Sequence, residues 1–338
     1  MGWTRRGRKG AFRYHDTRGR RIHDAAAIAR VEALAIPPAW KDVWISPSSR
    51  AKLQATGYDK AGRKQYLYHP DHRAAQEEAK YAKLIRFAKA LPALRETMAE
   101  DLGRDELDVD RVAAIALRLI SLGWFRAGSE RHARESRTYG ITTLTRRHVE
   151  VRGRRIRLSF RGKLSVEVRS ELVDEELADA MRELLALPGG ARVFRFRSED
   201  GLANLTNRRL NDYVKANMGE EFTAKDFRTW GGTLVAAIAF AERAAVDGFP
   251  ETASAERRSI TAVMRRVART LGNTPAVCRA SYVSPAVIEQ YLEGRTLEDF
   301  RPRHLRVVGA RDSGLDAEEQ ALLSLLRSWR IRQARAAA

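Results

Sequence analysis

A handful of side chains could act together on an anionic ester. Arg126 follows an apolar run in Gly123-Trp124-Phe125-Arg126, and Lys163 follows Gly162 between two alternating segments. Lys225 and Arg228 stand in Lys225-Asp226-Phe227-Arg228-Thr229, and Asn273 in Gly272-Asn273-Thr274-Pro275, ahead of Tyr282. Guanidinium groups offer planar, bidentate forks to phosphate oxygens and stay protonated. A desolvated ammonium group can release a proton, and a phenol can become a covalent nucleophile. Taken singly, each residue has a plain structural account: surface arginines, a turn lysine, a capping asparagine, and one tyrosine among nine.

Other chemistries fail on the same text. Gly57-x-x-x-x-Gly62 is followed by Arg63-Lys64-Gln65, without the Lys-Ser/Thr or strand-to-helix setting of a phosphate-binding loop. The seven histidines lack ligand spacing, and acidic residues gather at helix starts such as Asp174-Glu175-Glu176, where the helix dipole accounts for them. No carboxylate set suggests a two-metal nuclease. The lone Cys278 excludes an internal disulfide, and no Cys/His spacing suggests zinc. The expectation is a site with no metal and no cofactor.

Charge points to the partner. The 338 residues carry 62 Lys and Arg against 43 Asp and Glu, a net +19. Such an excess favours a polyanion, because each neutralised phosphate releases condensed counterions. Residues 1–75 hold 16 Lys/Arg against 6 Asp/Glu, so the excess is concentrated at the N-terminal end. No apolar stretch is long enough to span a bilayer and no signal-type h-region follows the basic start, so no membrane association is expected. The chain reads as cytoplasmic and nucleoid-associated.

Positioning elements follow from periodicity and punctuation. Residues 1–10 read as a mobile basic arm with three glycines. Short segments separated by Asp-Thr-Arg-Gly, Ser-Pro and Gly-Arg-Lys turns, with one helix over 24–34, predict a small β-rich domain over 11–72. Trp40 and Trp44 are assigned to its core. Residues 73–82 form a linker and the start of a helix that Pro92 should interrupt or kink. Over 83–338 helices dominate: 109–125, 174–187, 207–217, 229–246, 252–271 and one near 318–334. Alternation over 142–144, 149–151, 156–160 and 164–168, with turns at Gly153 and Gly162, predicts an antiparallel sheet inserted among them. Gly272 ends one helix, and Thr274-Pro275 and Ser284-Pro285 open two more, leaving Tyr282 at a short helix between breaks. The fold class is α+β: a small, mainly β N-terminal domain and a larger, mainly α domain with an inserted antiparallel sheet.

As a set, Arg126, Lys163, Lys225-x-x-Arg228, Asn273 and Tyr282 resemble, in order and spacing, the active site of the type IB DNA topoisomerases of the small viral and bacterial kind. Local text agrees at Thr138-Tyr139-Gly140-Ile141-Thr142-Thr143-Leu144, Phe160-Arg161-Gly162-Lys163 and Arg279-Ala280-Ser281-Tyr282. The N-terminal region is similar at Ile36-Pro37-Pro38-Ala39-Trp40 and Gly62-Arg63-Lys64-Gln65-Tyr66. The resemblance covers about residues 10–300.

What it implies is concrete. Tyr282 would attack a phosphodiester, leaving a 3′-phosphotyrosyl bond and a 5′-hydroxyl, and the reverse step would reseal the strand without ATP or metal. Arg126 and Arg228 would bind the non-bridging oxygens, Lys163 would protonate the leaving 5′-oxygen, and Asn273 would donate a further hydrogen bond. The viral members carry histidine where this chain has Asn273, which excludes a proton-shuttling role there and implies a working but slower site. Gln65, Tyr66 and Tyr68 match the strand that reads base edges, with Lys64 and Lys225 as further DNA contacts. The partner would be double-stranded DNA, clamped by a monomer.

Two other readings stay open at this level. Tyrosine recombinases share the Arg–Lys–Arg–Tyr chemistry and the catalytic fold, but they usually carry His-x-x-Arg where this chain has Lys225-x-x-Arg228, and their N-terminal DNA-binding domain is helical. A non-enzymatic basic DNA- or RNA-binding protein accounts for the +19 but not for the spaced cations.

Overall fold

In the computed structural model, which describes residues 2–301 and 314–336, strand formation begins at the third residue. β1 (Trp3–Arg6) pairs with β2 (Arg13–His15) and with β3 (Lys41–Ile45), so the basic start is a paired strand and not the arm expected over 1–10. Its cation serves the fold: the Arg5 guanidinium donates to the carbonyls of Ile36, Pro37 and Trp40 at 2.9–3.0 Å and lies 4.2 Å from the Phe12 ring centroid. Between β2 and β3 comes α1 (Ala25–Ala33), capped by Asp24, whose carboxylate accepts from the Ala26 and Ala27 N–H groups. β4 (Leu53–Tyr58) and β5 (Lys64–Tyr68) complete an antiparallel sheet of order β2-β1-β3-β4-β5.

Register decides which side chains share a face. Pairing aligns Trp3, Ile45, Ala55 and Leu67 in one row, and Thr4, Trp44, Thr56 and Tyr66 in the next. Successive rows point to opposite faces of a pleated sheet. The first row packs with Val31, Ile36 and Trp40 to form a one-sided core. Trp44 is thus on the opposite face, half-buried, whereas Trp40 belongs to the core as expected.

The chain divides into two units, Met1–Ala82 and Lys83–Ala338, and the division falls inside a helix, α2 (Pro70–Leu102). Residues 73–82 are therefore helical, and the helix is not interrupted at Pro92, which lies within it. A proline inside a helix costs about 3 kcal/mol. Burying Phe87, Leu91, Leu94 and Met98, each at about 1.5–3 kcal/mol, offsets that several times over.

The second unit is built on α3 (Val109–Gly123), in which Val112 to Leu117 are wholly buried. After α4 (Glu130–Glu135) come β6 (Val149–Arg152), β7 (Arg155–Arg161) and β8 (Glu167–Val173), paired antiparallel in that order. On β7, Ile156, Leu158 and Phe160 are buried and alternate with exposed residues. The strand expected over 142–144 is a 3-10 turn, and the one expected over 164–168 starts later, as β8, after a 3-10 turn. Ile141–Thr143 turns because the Thr142 and Thr143 hydroxyls donate to the Ala127 and Gly140 carbonyls, a local alternative to a ladder. Lys163–Ser165 forms the tight β7–β8 connection, closed by the Gly162 N–H on the Val166 carbonyl at 2.7 Å.

The rest is mainly helical: α5 (Glu175–Ala186), the short hairpin β9 (Arg195–Ser198) and β10 (Gly201–Asn204), α6 (Asn207–Met218), α7 (Ala224–Asp247), α8 (Ala253–Leu271), α9 (Pro275–Ser281), α10 (Pro285–Leu292) and α11 (Ala317–Ala336). That hairpin was not anticipated. Phe87 on α2 packs against Phe227 and Trp230 of α7, with ring centroids 5.0 and 6.1 Å away. Glu319 of α11, 2% exposed, accepts from the Trp230 indole at 3.1 Å and from Arg95 at 2.7 and 2.8 Å. Among the described residues no helix is long and apolar enough to cross a membrane.

Candidate active site

Two helix C-termini hold the two guanidinium groups. α3 stops at Gly123, and Trp124 turns the chain with φ 54° and ψ 31°. α8 stops at Leu271, and Gly272 turns it with φ 59° and ψ 54°. The carbonyls left unpaired at such ends carry partial negative charge. Arg228 donates to the Trp124 carbonyl through Nη1 and to the Leu271 carbonyl, 2.8 Å away, through Nη2. Arg126, two residues beyond the first end, donates to the Gly272 carbonyl at 3.3 Å and to Oδ1 of Asn273. Burial pushes both guanidinium groups below their ordinary range, and for Arg228 the charge of Arg126 adds to this.

Arg228 is 3% exposed and lies in the first turns of α7. Thr223 caps that helix: its N–H and hydroxyl both donate to Asp226, which also accepts from Lys83 at 2.8 Å. The helix begins five residues earlier than its apolar pattern suggests, which places Lys225 and Arg228 three apart on one face. Lys225 is exposed.

Tyr282 closes α9, a short helix with Thr274 as cap and Pro275 in its first turn. Its N–H donates to the Cys278 carbonyl at 2.9 Å. The segment is seated on α7 by two residues that the spacing of charged groups did not reveal. The buried Thr233 hydroxyl donates to the Thr229 carbonyl at 2.8 Å, accepts from the Ser284 N–H at 3.2 Å and lies 3.2 Å from the Tyr282 carbonyl. Gly232 lies directly beneath: a Cβ there would come within 2.7 Å of the Tyr282 carbonyl oxygen and 3.0 Å of its Cβ. The signal that could have found them is the Gly231-Gly232 pair inside a helix. Each glycine there costs about 1 kcal/mol relative to alanine and marks a close approach.

The Arg228 guanidinium carbon sits 5.0 Å from the centroid of the Tyr282 ring. Burial alone would raise the phenol, but Arg228, Arg126 and Lys225 outweigh it and hold Tyr282 below the ordinary tyrosine value. The buried Cys278 thiol is pushed up to about 11 by burial, against the opposing pull of the same two arginines. Two buried donors here lack a partner among the described residues: Nδ2 of Asn273 and Nε of Arg228. A cavity of about 350 Å³ opens beside the cluster, bordered by Trp124, Phe160, Arg126, Arg228, Arg269 and Gly272.

The structure thus brings together Arg126, Arg228, Asn273 and Tyr282, with Lys225 close enough for its charge to act on the phenol. Lys163 is exposed at the β7–β8 turn, whose Gly162 borders the same cavity, and among the described residues no hydrogen bond joins it to the other four. In the first unit, Lys64, Tyr66 and Tyr68 share the exposed face of the edge strand β5. The Tyr66 and Tyr68 rings stack with centroids 6.3 Å apart, and the Lys64 ammonium lies 5.8 Å from the Tyr66 ring. Gln65 alternates to the face that carries Leu67, and its amide donates to Asp59 at 2.9 Å.

Known proteins match across this framework. The family described as eukaryotic DNA topoisomerase I, catalytic core, matches residues 69–298, and bacterial DNA topoisomerase IB, N-terminal domain, matches residues 11–59. DNA topoisomerase 1B of Acanthamoeba polyphaga mimivirus is 34% identical over 271 residues, 78% of this chain and 80% of that protein. DNA topoisomerase I of monkeypox virus and DNA topoisomerase 1B of vaccinia virus (strain Western Reserve) are each 22% identical over 252 residues, 73% of this chain and 75% of theirs. With a family match over most of its length and a relative of this identity and coverage, the chain belongs to the type IB DNA topoisomerases.

Proposed function

We propose that Tyr282 is the nucleophile with which this topoisomerase relaxes supercoiled duplex DNA, and that Arg126, Arg228, Asn273 and Lys163 form its transition-state machinery. The observation that carries the assignment is the convergence of Arg126, Arg228, Asn273 and Tyr282 from four separate segments onto one half-buried phenol. Oη of Tyr282 attacks phosphorus and its proton passes to solvent, which the flanking cations ease by favouring the phenolate. The bond from phosphorus to the 5′-oxygen breaks, and Lys163 supplies the proton that the leaving oxygen takes up. Exposed at a hairpin turn, Lys163 is placed to be desolvated by the DNA itself. Arg126 and Arg228 stabilise the non-bridging oxygens, and the unpartnered Nδ2 of Asn273 supplies a further donor. The phosphotyrosyl bond retains the diester's energy, so resealing is the same exchange in reverse.

The first unit supplies DNA contacts from the exposed face of β5, through Lys64, Tyr66 and Tyr68. Gln65 reaches a base edge only by exchanging its bond to Asp59. We assign residues 1–82 to DNA binding and 83–338 to catalysis, with one monomer engaging the duplex through both, and the net +19 favours standing association with the nucleoid. Plasmid relaxation in EDTA without nucleotide, with Tyr282→Phe alongside, is the test. The wild type should relax DNA and yield a covalent adduct trapped by SDS, and the variant neither. Unchanged relaxation by the variant refutes the nucleophile assignment.

A further inference from the structure

We infer that Trp124 is a positioning residue of this site, holding Arg228 and Arg126 in fixed relation by turning the chain through a left-handed backbone and seating its indole on Gly231. This rests on the roles given above to the two arginines.

A tryptophan at φ 54° and ψ 31° is unusual, because the left-handed region crowds the side chain of any residue but glycine. Gly123, next to it, does not take the left-handed turn; its missing Cβ instead leaves room for the Phe125 ring, which a Cβ there would meet at 2.1 Å. The strain falls on Trp124, and such strain persists only where surrounding contacts over-determine it. Two such contacts exist here, both on α7. The Trp124 carbonyl accepts from Nη1 of Arg228, and the indole fills the space above Gly231, where a Cβ would lie 2.2 Å from its Cδ2. Positions 228 and 231 are three apart, so both contacts fall on one helix face. Arg126 follows two residues later, so the same turn sets where its guanidinium emerges.

A residue that merely packs would support the fold, whereas one that positions Arg228 also sets the protonation of Tyr282. The charged and titratable groups acting on that phenol are Arg228 and Lys225 from α7 and Arg126 beyond α3. Cys278, on the helix that carries Tyr282, is coupled to the same two arginines. If Arg228 loosens, the phenol relaxes toward its ordinary value, and the pH–rate curve for cleavage moves to higher pH.

The experiment compares Trp124→Gly, which keeps the left-handed turn and deletes the indole, with Trp124→Phe, Gly231→Ala and the double variant Trp124→Gly/Gly231→Ala. Single-turnover cleavage of a duplex that traps the adduct is followed across pH, beside DNA affinity and thermal stability. Trp124→Gly should lose about 10-fold or more in cleavage rate, as an ångström-scale misplacement does. Its DNA affinity should hold and its pH–rate curve should shift alkaline, with Trp124→Phe recovering part of both. Gly231→Ala should behave alike, because its methyl displaces the indole, and the double variant should be no slower than Trp124→Gly, since that methyl then has room. Wild-type rate and pH profile in Trp124→Gly overturn the inference, as do losses that multiply in the double variant. If Trp124→Gly does not fold, an unshifted pH profile in both Trp124→Phe and Gly231→Ala overturns it equally. A wild type that forms no adduct brings down the catalytic reading itself, which is a distinct result.

Discussion

Replacing Thr233 with valine deletes one oxygen and leaves the volume almost unchanged, so its consequences can be worked from the bonds that oxygen makes. The hydroxyl donates to the Thr229 carbonyl at 2.8 Å within its own helix and accepts from the Ser284 N–H, with the Tyr282 carbonyl 3.2 Å away. Ser284 is wholly buried, so its N–H would lose its partner where water does not reach. An orphaned buried donor costs about 1–3 kcal/mol, which is the expected loss in stability. The larger effect should be on rate. Thr233 and Arg228 share α7, and that hydroxyl holds the backbone just after Tyr282, through the Ser284 N–H, to the helix carrying the arginine. Freed to relax by about 1 Å, Tyr282 should cleave about 10²-fold more slowly. Single-turnover adduct formation reports the rate, urea melts report stability, and Thr233→Ser should restore both. A valine variant that is destabilised yet cleaves at the wild-type rate would show that the bond supports only the fold. One with neither defect would refute the geometry.

Three further outcomes test separate features. Tyr282 is held below its ordinary value by Arg228, Arg126 and Lys225 against burial. Its ionisation thus contributes stability that is complete above the unfolded tyrosine value and is lost as pH falls through the folded one. The cleavage rate of the wild type should rise with pH and level off below about pH 10, the ordinary tyrosine value, and Lys225→Ala should move that curve to higher pH. An unmoved curve removes the charge coupling. Asn273→Asp keeps the acceptor for Arg126 but deletes the unpartnered donor. It should cost about 10²–10³ in cleavage rate, and a loss below threefold would deny Nδ2 a catalytic role. Lys64→Ala should weaken DNA binding evenly across sequences and reduce the slope of log affinity against log salt by about 1. An unchanged slope places Lys64 off the DNA.

Legibility followed the range of the forces involved. Asp24, Asp174 and Thr274 mark helix starts in the text and cap them in the structure, because capping involves only the next few residues. The alternation of β7 was readable because one face of a strand is either buried or not. β1 was misread as an arm because its cations and glycines look like a solvated tail. Only its partners, the carbonyls of Ile36, Pro37 and Trp40, show that Arg5 is structural. The helix runs on through Pro92 for a similar reason: the neighbours that offset its lost hydrogen bond, such as Phe87, are buried against residues distant in the chain, Phe227 and Trp230.

Taken alone, the sequence determined which groups are available for catalysis, their order, the helix breaks around Tyr282 and the polyanionic partner. All of these follow from side-chain chemistry and from interactions across a few residues. Only the tertiary structure decided how those groups meet. It placed two helix C-termini under two arginines, made Gly231 and Gly232 the seats of an indole and of the Tyr282 backbone, and set Thr233 beneath Tyr282. Contacts of this kind join positions well over a hundred residues apart, 147 between Arg126 and Asn273. They exist only once the helices have packed, so no local pattern in the chain can encode them visibly.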